Sequence, residues 1–379
     1  MEQGRTLSGT VTSLLASTLF VLALGSCTDV GAWDRLSAME AMLAEARLPT
    51  KRMSVDIGPF GQADELNNFP VLVRLPADFP YDQCAPNGLD IEFRTEDGLT
   101  LLDWELESWR PGQTSVFWVK LPVLPANPSS TRIWLYYGAD FPLDRSNPEA
   151  VWSNGYEAVW HGIVDTVDGS LRYRDSTGRH HGFSNDGTLT PPELIEGPIG
   201  RAFSYTGDSE CGIAVNATGA LNDIGTFQLD FVIRDRSSTF SDRYLLSRDN
   251  FILGIKNGRA PFLSIDFFGG TLEVNGPTLW DPTTWTYASI SWDQSQVVFW
   301  GGGSQRGSFP ATGSGTQEAW TEQTWVIGNS SPPPSKLEAD LDEIRLSRIV
   351  RSSAWMLAEY KSQEGADVSF GTPEDVVYD

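Results

Sequence analysis

The sequence predicts an all-β protein of two antiparallel β-sandwich domains with a short C-terminal helix. Three observations carry this. Apolar and polar residues alternate over many short runs, as in half-buried strands. Glycine (36), proline (23) and aromatic residues (14 Trp, 19 Phe, 10 Tyr) are plentiful, a composition of strands cut by turns. Long stretches of helical period are scarce after residue 50.

Residues 1–26 come first. A head carrying Arg5 precedes an apolar run from Leu14 to Leu24, then Gly25, Ser26 and Cys27. Charged head, apolar stretch and small residues form an export signal, not a membrane span. The string Leu24-Gly25-Ser26-Cys27 resembles the lipobox of bacterial lipoproteins. That resemblance implies cleavage before Cys27, acylation of its thiol and an exported chain anchored to the membrane by lipid. Thr28 after the cysteine fits the outer membrane, on its periplasmic or its surface face.

Residues 27–50 connect the anchor to the domains. Trp33, Leu36, Met39, Met42 and Leu43 approach a helical spacing that Pro49 ends, so this tether is either a marginal amphipathic helix or unstructured. Removing the signal leaves about 350 residues, enough for two domains.

From 51 to 140 the pattern is strand and turn. Strands are predicted at Pro70–Leu75, Leu89–Arg94, Leu102–Glu107, Ser115–Lys120 and Arg132–Tyr137. Asp97-Gly98, Pro111-Gly112 and Pro125-Ala126-Asn127-Pro128 divide them. The blocks Asn68–Val73, Gly88–Phe93, Trp104–Glu107, Val116–Pro122 and Ile133–Gly138 look like a bacterial domain of unknown function. It usually precedes a concanavalin A-like domain in exported proteins, and in some accompanies proton-channel subunits of the TolQ/ExbB type. The alternation stops near Gly138 and restarts at Tyr156, across Pro142 and Pro148, so a protease-sensitive linker is expected between about 138 and 155.

The second domain is placed at 150–365, followed by a tail over 366–379. Val159-Trp160-His161, Asp175-Ser176-Thr177-Gly178, Gly200–Gly207, Thr226–Ile233, Trp285–Trp292 and Leu341–Ser347 resemble the laminin-G-like, concanavalin A-like superfamily. The resemblance implies a jelly roll of two antiparallel sheets, with Ser353–Lys361 as a closing helix.

Several chemistries can be weighed. A net charge of −23 repels nucleic acid and anionic lipid head groups, so neither is a partner. Glu338-Ala339-Asp340-Leu341-Asp342-Glu343 matches the Glu-x-Asp-x-x-Glu pattern of laminarinase-like glycosidases. A plain strand puts 338, 340 and 342 on one face and Glu343 on the other, so a bulge would be needed to bring Glu343 round. The block is equally the last strand of a laminin-G-like domain, and no catalytic activity is predicted. Asp342 faces the core and needs a partner. Calcium shared with Asp175 is one reading, because many members of that superfamily bind it there; a hydrogen bond to its own turn is the other. His161 reads as a packing residue and His180-His181 as an exposed loop, and their spacing is not that of a transition-metal site. Trp280, Trp300 and Trp320 lie near turns, where they are candidates to stack on sugar rings; Trp160, Trp285 and Trp292 fall inside strands and read as core. Cys84 and Cys211 are expected to stay unpaired.

The function expected is binding outside the cytoplasm, of a glycan or a protein, by a membrane-anchored lipoprotein. An accessory subunit of an envelope complex is the alternative, and a surface glycosidase the third.

Overall fold

A computed structural model describes residues 37, 40, 41 and 48–378, apart from 185–188, 209, 217, 219–220, 222–224, 238–240, 250, 257–258, 268–269, 313–323, 330–335 and 366. The export segment, Cys27, most of the tether and Trp320 lie outside the described residues. The regular structure among the described residues is mainly antiparallel strand, with one substantial helix near the C-terminus.

The first sandwich has two small sheets. In one, Lys51–Ile57 pairs with Thr131–Tyr137, which pairs with Glu92–Thr95. In the other, Ser115–Leu124 lies between Leu66–Leu75 and Trp104–Ser108. Val55, Phe93 and Leu135 meet Val73, Trp104 and Phe117 in its core. Val116, Phe117, Trp118 and Val119 are all buried, so this second sheet is covered on both faces. Phe117 faces the core beside Phe93 and Trp104, while Trp118 faces the neighbouring sandwich.

The second sandwich is one continuous hydrogen-bonded path of strands folded back on itself. The long strand Tyr156–Val167 belongs to both layers. Its first half pairs with Glu338–Ser347, and its far half with Ser170–Asp175. One layer then runs through Phe227–Asp235, Thr286–Trp292, Gln296–Gly301 and Ser304–Pro310. The other includes Ile213–Asn216, Thr324–Ile327, Arg243–Arg248, Phe251–Lys256 and Ala260–Phe267. Alternate residues such as Phe231, Ile233, Ile290 and Phe299 close onto Phe251, Leu253, Ile265 and Trp325.

Two expectations change here. The stretch between the sandwiches is not a loose linker: Val151, Trp152 and Tyr156 are buried in the first core, and Asn147 N–H donates to the Trp104 carbonyl at 2.8 Å. Nor is the segment after 366 a free tail. Val368–Phe370 pairs with Val55–Ile57 and Glu374–Asp375 with Lys51–Arg52, so the chain's end returns to the first sandwich's edge.

The helix Ser353–Glu364 bridges the two units. Ser352 caps it by accepting the Trp355 N–H at 3.2 Å, and Gly365, at φ +75°, ends it in the left-handed region. Trp355 meets Phe69 edge-on at 4.9 Å in the first sandwich, and Met356 packs against Val232, Tyr287 and Trp300 of the second.

Candidate functional site

Three strands bring charge into the seam between the sandwiches. Trp104–Ser108 turns Trp104 and Leu106 towards the first core, so Glu105 and Glu107 face the second sandwich. His161 comes from Tyr156–Val167, and Asp342, Glu343 and Arg345 from Glu338–Ser347. Glu107, His161 and Glu343 each sit where their strand's register shifts. Such bulges re-aim side chains. Glu343 has φ +54°, the bulge that the sequence required to bring it round. Close backbone approach around the cluster needs glycine. A Cβ on Gly162, at φ +70°, would lie 2.1 Å from the Arg201 carbonyl oxygen, and one on Gly200 2.0 Å from Glu107 Oε1.

The contacts form one network. His161 Nδ1 lies 2.8 Å from Glu343 Oε1 and 4.0 Å from Glu107 Oε2, while its Nε2 lies 3.5 Å from Glu105 Oε2. The imidazole packs beside the rings of Trp118 and Trp152, at centroid distances of 5.9 and 5.1 Å. Trp118 Nε1 donates to Glu107 Oε2 at 2.8 Å, and Trp152 Nε1 to Glu105 Oε2 at 2.6 Å. Ser176 Oγ donates to Glu105 Oε1 at 2.5 Å. Arg345 holds Glu343 Oε2 through Nε at 3.1 Å and through Nη2, and it reaches Glu359 through Nη1 at 2.5 Å. Its guanidinium lies 4.2 Å over the Trp118 ring.

Burial and partners decide the charges. Burial pushes the Glu107 carboxyl up to about 8, with the neighbouring Glu343 charge adding to the effect. Burial, then Glu343 and Glu107, also hold Asp342 well above the ordinary carboxylate value. Burial alone would raise Glu343, but His161 and Arg345 hold it down to about 2. For His161, burial would lower the pKa, yet Glu343 and Glu105 overrule it and keep it well above the usual histidine value. Burial and partners thus favour the charged forms of His161, Arg345, Glu343 and Glu105 and the neutral forms of Glu107 and Asp342.

The loop Gly197–Gly200 lies over this network, Ile199 N–H donating to Asp342 Oδ2 at 3.1 Å. A cleft opens on each side of it. One, of about 670 Å³, is lined by Glu107, Trp109, Arg110, His161, Glu196 and Arg201. Arg110 of the first sandwich pairs with Glu196 of the second across it. The other, of about 570 Å³, is lined by Arg74, Trp285, Tyr287, Tyr360, Gln363 and Glu364. Tyr287 and Tyr360 have ring centroids 6.1 Å apart. Arg74 Nη1 and Gln363 Oε1 are buried there and have no hydrogen-bond partner.

The residues singled out from sequence fall elsewhere. Trp280 and Trp300 are only 4% and 6% exposed, so neither offers a face to a sugar ring. Trp280 packs near Phe231 in the main core, and Trp300 against Met356 under the helix. Turns in sequence lie near both, but the layers close over them. Trp285, read as core, is half-buried and lines the second cleft. Asp175 accepts five donors: Val159 N–H and Thr177 N–H at Oδ1, and Thr177 Oγ1, Arg179 N–H and His180 N–H at Oδ2. Hydrogens aimed at both its oxygens do not suit a calcium ligand. Asp342 accepts from Ile199 and Glu343 N–H, so the two aspartates share no partner. His180 and His181 are not free loop residues: His180 Nε2 lies 2.7 Å from Glu157 Oε1, and His181 Nδ1 accepts the Asp175 N–H. Glu343 is held by His161 and Arg345, and Glu338, at the start of the same strand, is not part of that network.

Sequence reasoning missed Glu105, Glu107, His161 and Arg345. One signal was available. The unbroken run Val116–Val119 marks a sheet covered on both faces, which buries acidic residues on the adjoining strand.

No curated protein matches the chain. Among solved structures, it is similar to the binding domain of Paraclostridial Mosquitocidal Protein 1 at 11% identity and TM-score 0.41, over 54% of this chain and 52% of that one. The binding domain of botulinum neurotoxin serotype D gives 10% and 0.41, over 55% and 52%. Trypanosoma rangeli sialidase gives 11% and 0.38, over 64% and 42%. The chain thus spans about half the length of these structures or less. Residues 87–168 match the model of DUF2341, a domain of unknown function, and this stretch contains Glu105, Glu107, Trp118, Trp152 and His161.

Proposed function

We propose that the protein is an exported, lipid-anchored binding protein without catalytic activity, whose second domain is laminin-G-like and takes a saccharide in the cleft beside the helix. One observation carries the ligand class: the half-buried rings of Trp285 and Tyr360 line that cleft together with Arg74, Gln363 and Glu364. Sugars present apolar ring faces and hydroxyl edges. Aromatic rings suit the first, and guanidinium, amide and carboxylate groups the second. Anchoring rests on Leu24-Gly25-Ser26-Cys27. Among the described residues no helix is long and apolar enough to cross a membrane.

The test is binding of the full chain to a panel of immobilised polysaccharides, with Trp285→Ala in parallel. Loss of about 1–2 kcal/mol of stacking weakens binding roughly five- to thirtyfold. No polysaccharide bound, or equal binding by the variant, overturns the saccharide reading. Cys27→Ser should release the chain from membranes; a variant still fractionating with them at mature size overturns the anchor.

A further inference from the structure

We propose that Glu107, His161 and Glu343 form a zinc site that clasps the two sandwiches together. Their donor atoms lie within 4.8 Å of one another, although the residues come from three separate strands. Two carboxylates and a neutral imidazole are a donor set that zinc accepts, so binding must displace the protons that His161 and Glu107 hold and should tighten as pH rises. Donors on one tetrahedral zinc at about 2.0–2.2 Å sit roughly 3.3 Å apart. Here the His161 Nδ1 separations are 2.8 Å to Glu343 and 4.0 Å to Glu107, so shifts of well under an ångström suffice.

A second, independent feature points to a ligand. Glu107 Oε1 has no hydrogen-bond partner, although its side chain is 1% exposed. A buried carboxylate oxygen left bare requires an explanation. The surrounding groups also have the arrangement that metal ligands need. Glu105 stands 3.5 Å from His161 Nε2, the nitrogen that a metal on Nδ1 would leave to donate. Trp118 fixes Glu107 through Oε2, and Arg345 fixes Glu343 through Oε2. Glu343 Oε1 and Glu107 Oε2 are the oxygens nearest His161 Nδ1, and Glu107 Oε1 remains free to complete a bidentate carboxylate. The cleft at Glu107 and His161 provides a route of entry.

Glu107 belongs to the first sandwich, and His161 and Glu343 to the second. An ion bound by all three binds only the assembled seam and stabilises it by mass action. The inference is independent of the saccharide reading, since the site lies on the other side of the Gly197–Gly200 loop.

The experiment uses the full chain purified in detergent without a histidine tag, stripped with chelator and titrated with zinc chloride by calorimetry. One zinc per chain is expected, together with a rise in melting temperature. Glu107→Gln keeps an acceptor for Trp118 but cannot ionise to ligate the ion, and should abolish stoichiometric binding and the zinc-dependent rise in melting temperature. Glu105→Gln should weaken binding about 10- to 100-fold. Cobalt substitution should give a visible d–d band in the parent chain and none in Glu107→Gln. Absence of zinc binding overturns the proposal. So does zinc bound equally by the parent chain and Glu107→Gln, which would place the ion elsewhere.

Discussion

Trp152 Nε1 donates to Glu105 Oε2 across 2.6 Å, fastening the segment between the sandwiches to the face of the first. Both side chains are buried, and the indole also stands at right angles to the Tyr156 ring, 5.0 Å away. The proline-marked stretch is therefore the packed floor of the seam.

Limited proteolysis of the native chain should spare residues 147–160, with any cutting in this region confined to 139–146. Trp152→Phe keeps most of the apolar volume but removes the donor. A buried carboxylate that loses one hydrogen bond costs about 1–3 kcal/mol, readable as a shift in urea midpoint. Early cleavage within 147–160, or an unchanged midpoint, would show that this contact does not hold the junction.

Much of the fold was legible because strand alternation is local. Arg132–Tyr137 and Leu341–Ser347 show in the sequence as strands, and Ser353–Lys361 is expected as the closing helix. What was not legible depends on which faces are covered. Trp280 and Trp300 lie near turns yet are enclosed, because proximity to a turn in sequence says nothing about the layer above. Glu107, His161 and Glu343 are far apart in the chain, and only three bulges in three strands bring them together. Periodicity cannot pair such positions. Val368-Ser369-Phe370 is too short for an alternation signal, and its partner strand lies more than 300 residues away.

Asp230 should make stability depend on pH. It is buried beneath the helix, where Gln228 Nε2 donates to Oδ1 at 2.8 Å and Tyr287 OH at 3.4 Å. Burial, and then the Glu359 charge, push its carboxyl up to about 7, with Arg345 opposing. The unfolded chain releases this proton near pH 4. Between about pH 4 and 7 the native state thus holds a proton that the unfolded state has lost, so its contribution to stability falls as pH rises through that window. Asp230→Asn cannot titrate. The difference in unfolding free energy between parent and variant should move steadily in the variant's favour from pH 4 to 7 and then level off. A pH-independent difference would mean that Asp230 titrates normally in the folded chain.

The returning C-terminus makes the first sandwich depend on the last residues of the chain. Val368–Phe370 covers the edge of Lys51–Ile57 in register, Val55 facing Phe370 and Ile57 facing Val368. Gly58 N–H donates to the Asp367 carbonyl at 2.7 Å and Gly371 N–H to the Ser54 carbonyl at 2.9 Å, bracketing the added strand. Val368 and Phe370 are half-buried against the first core. Ending the chain at Gly365 would keep the helix and its cap but expose that edge. Two half-buried apolar side chains and the lost ladder bonds together amount to about 3 kcal/mol, and an uncovered edge invites pairing between chains. The truncated protein should melt lower and self-associate at concentrations where the full chain is monodisperse. Double substitution of Val368 and Phe370 with serine should reproduce part of the loss without shortening the chain. Equal melting of the full and truncated chains, measured by calorimetry, would show that the strand rests on the edge without stabilising it.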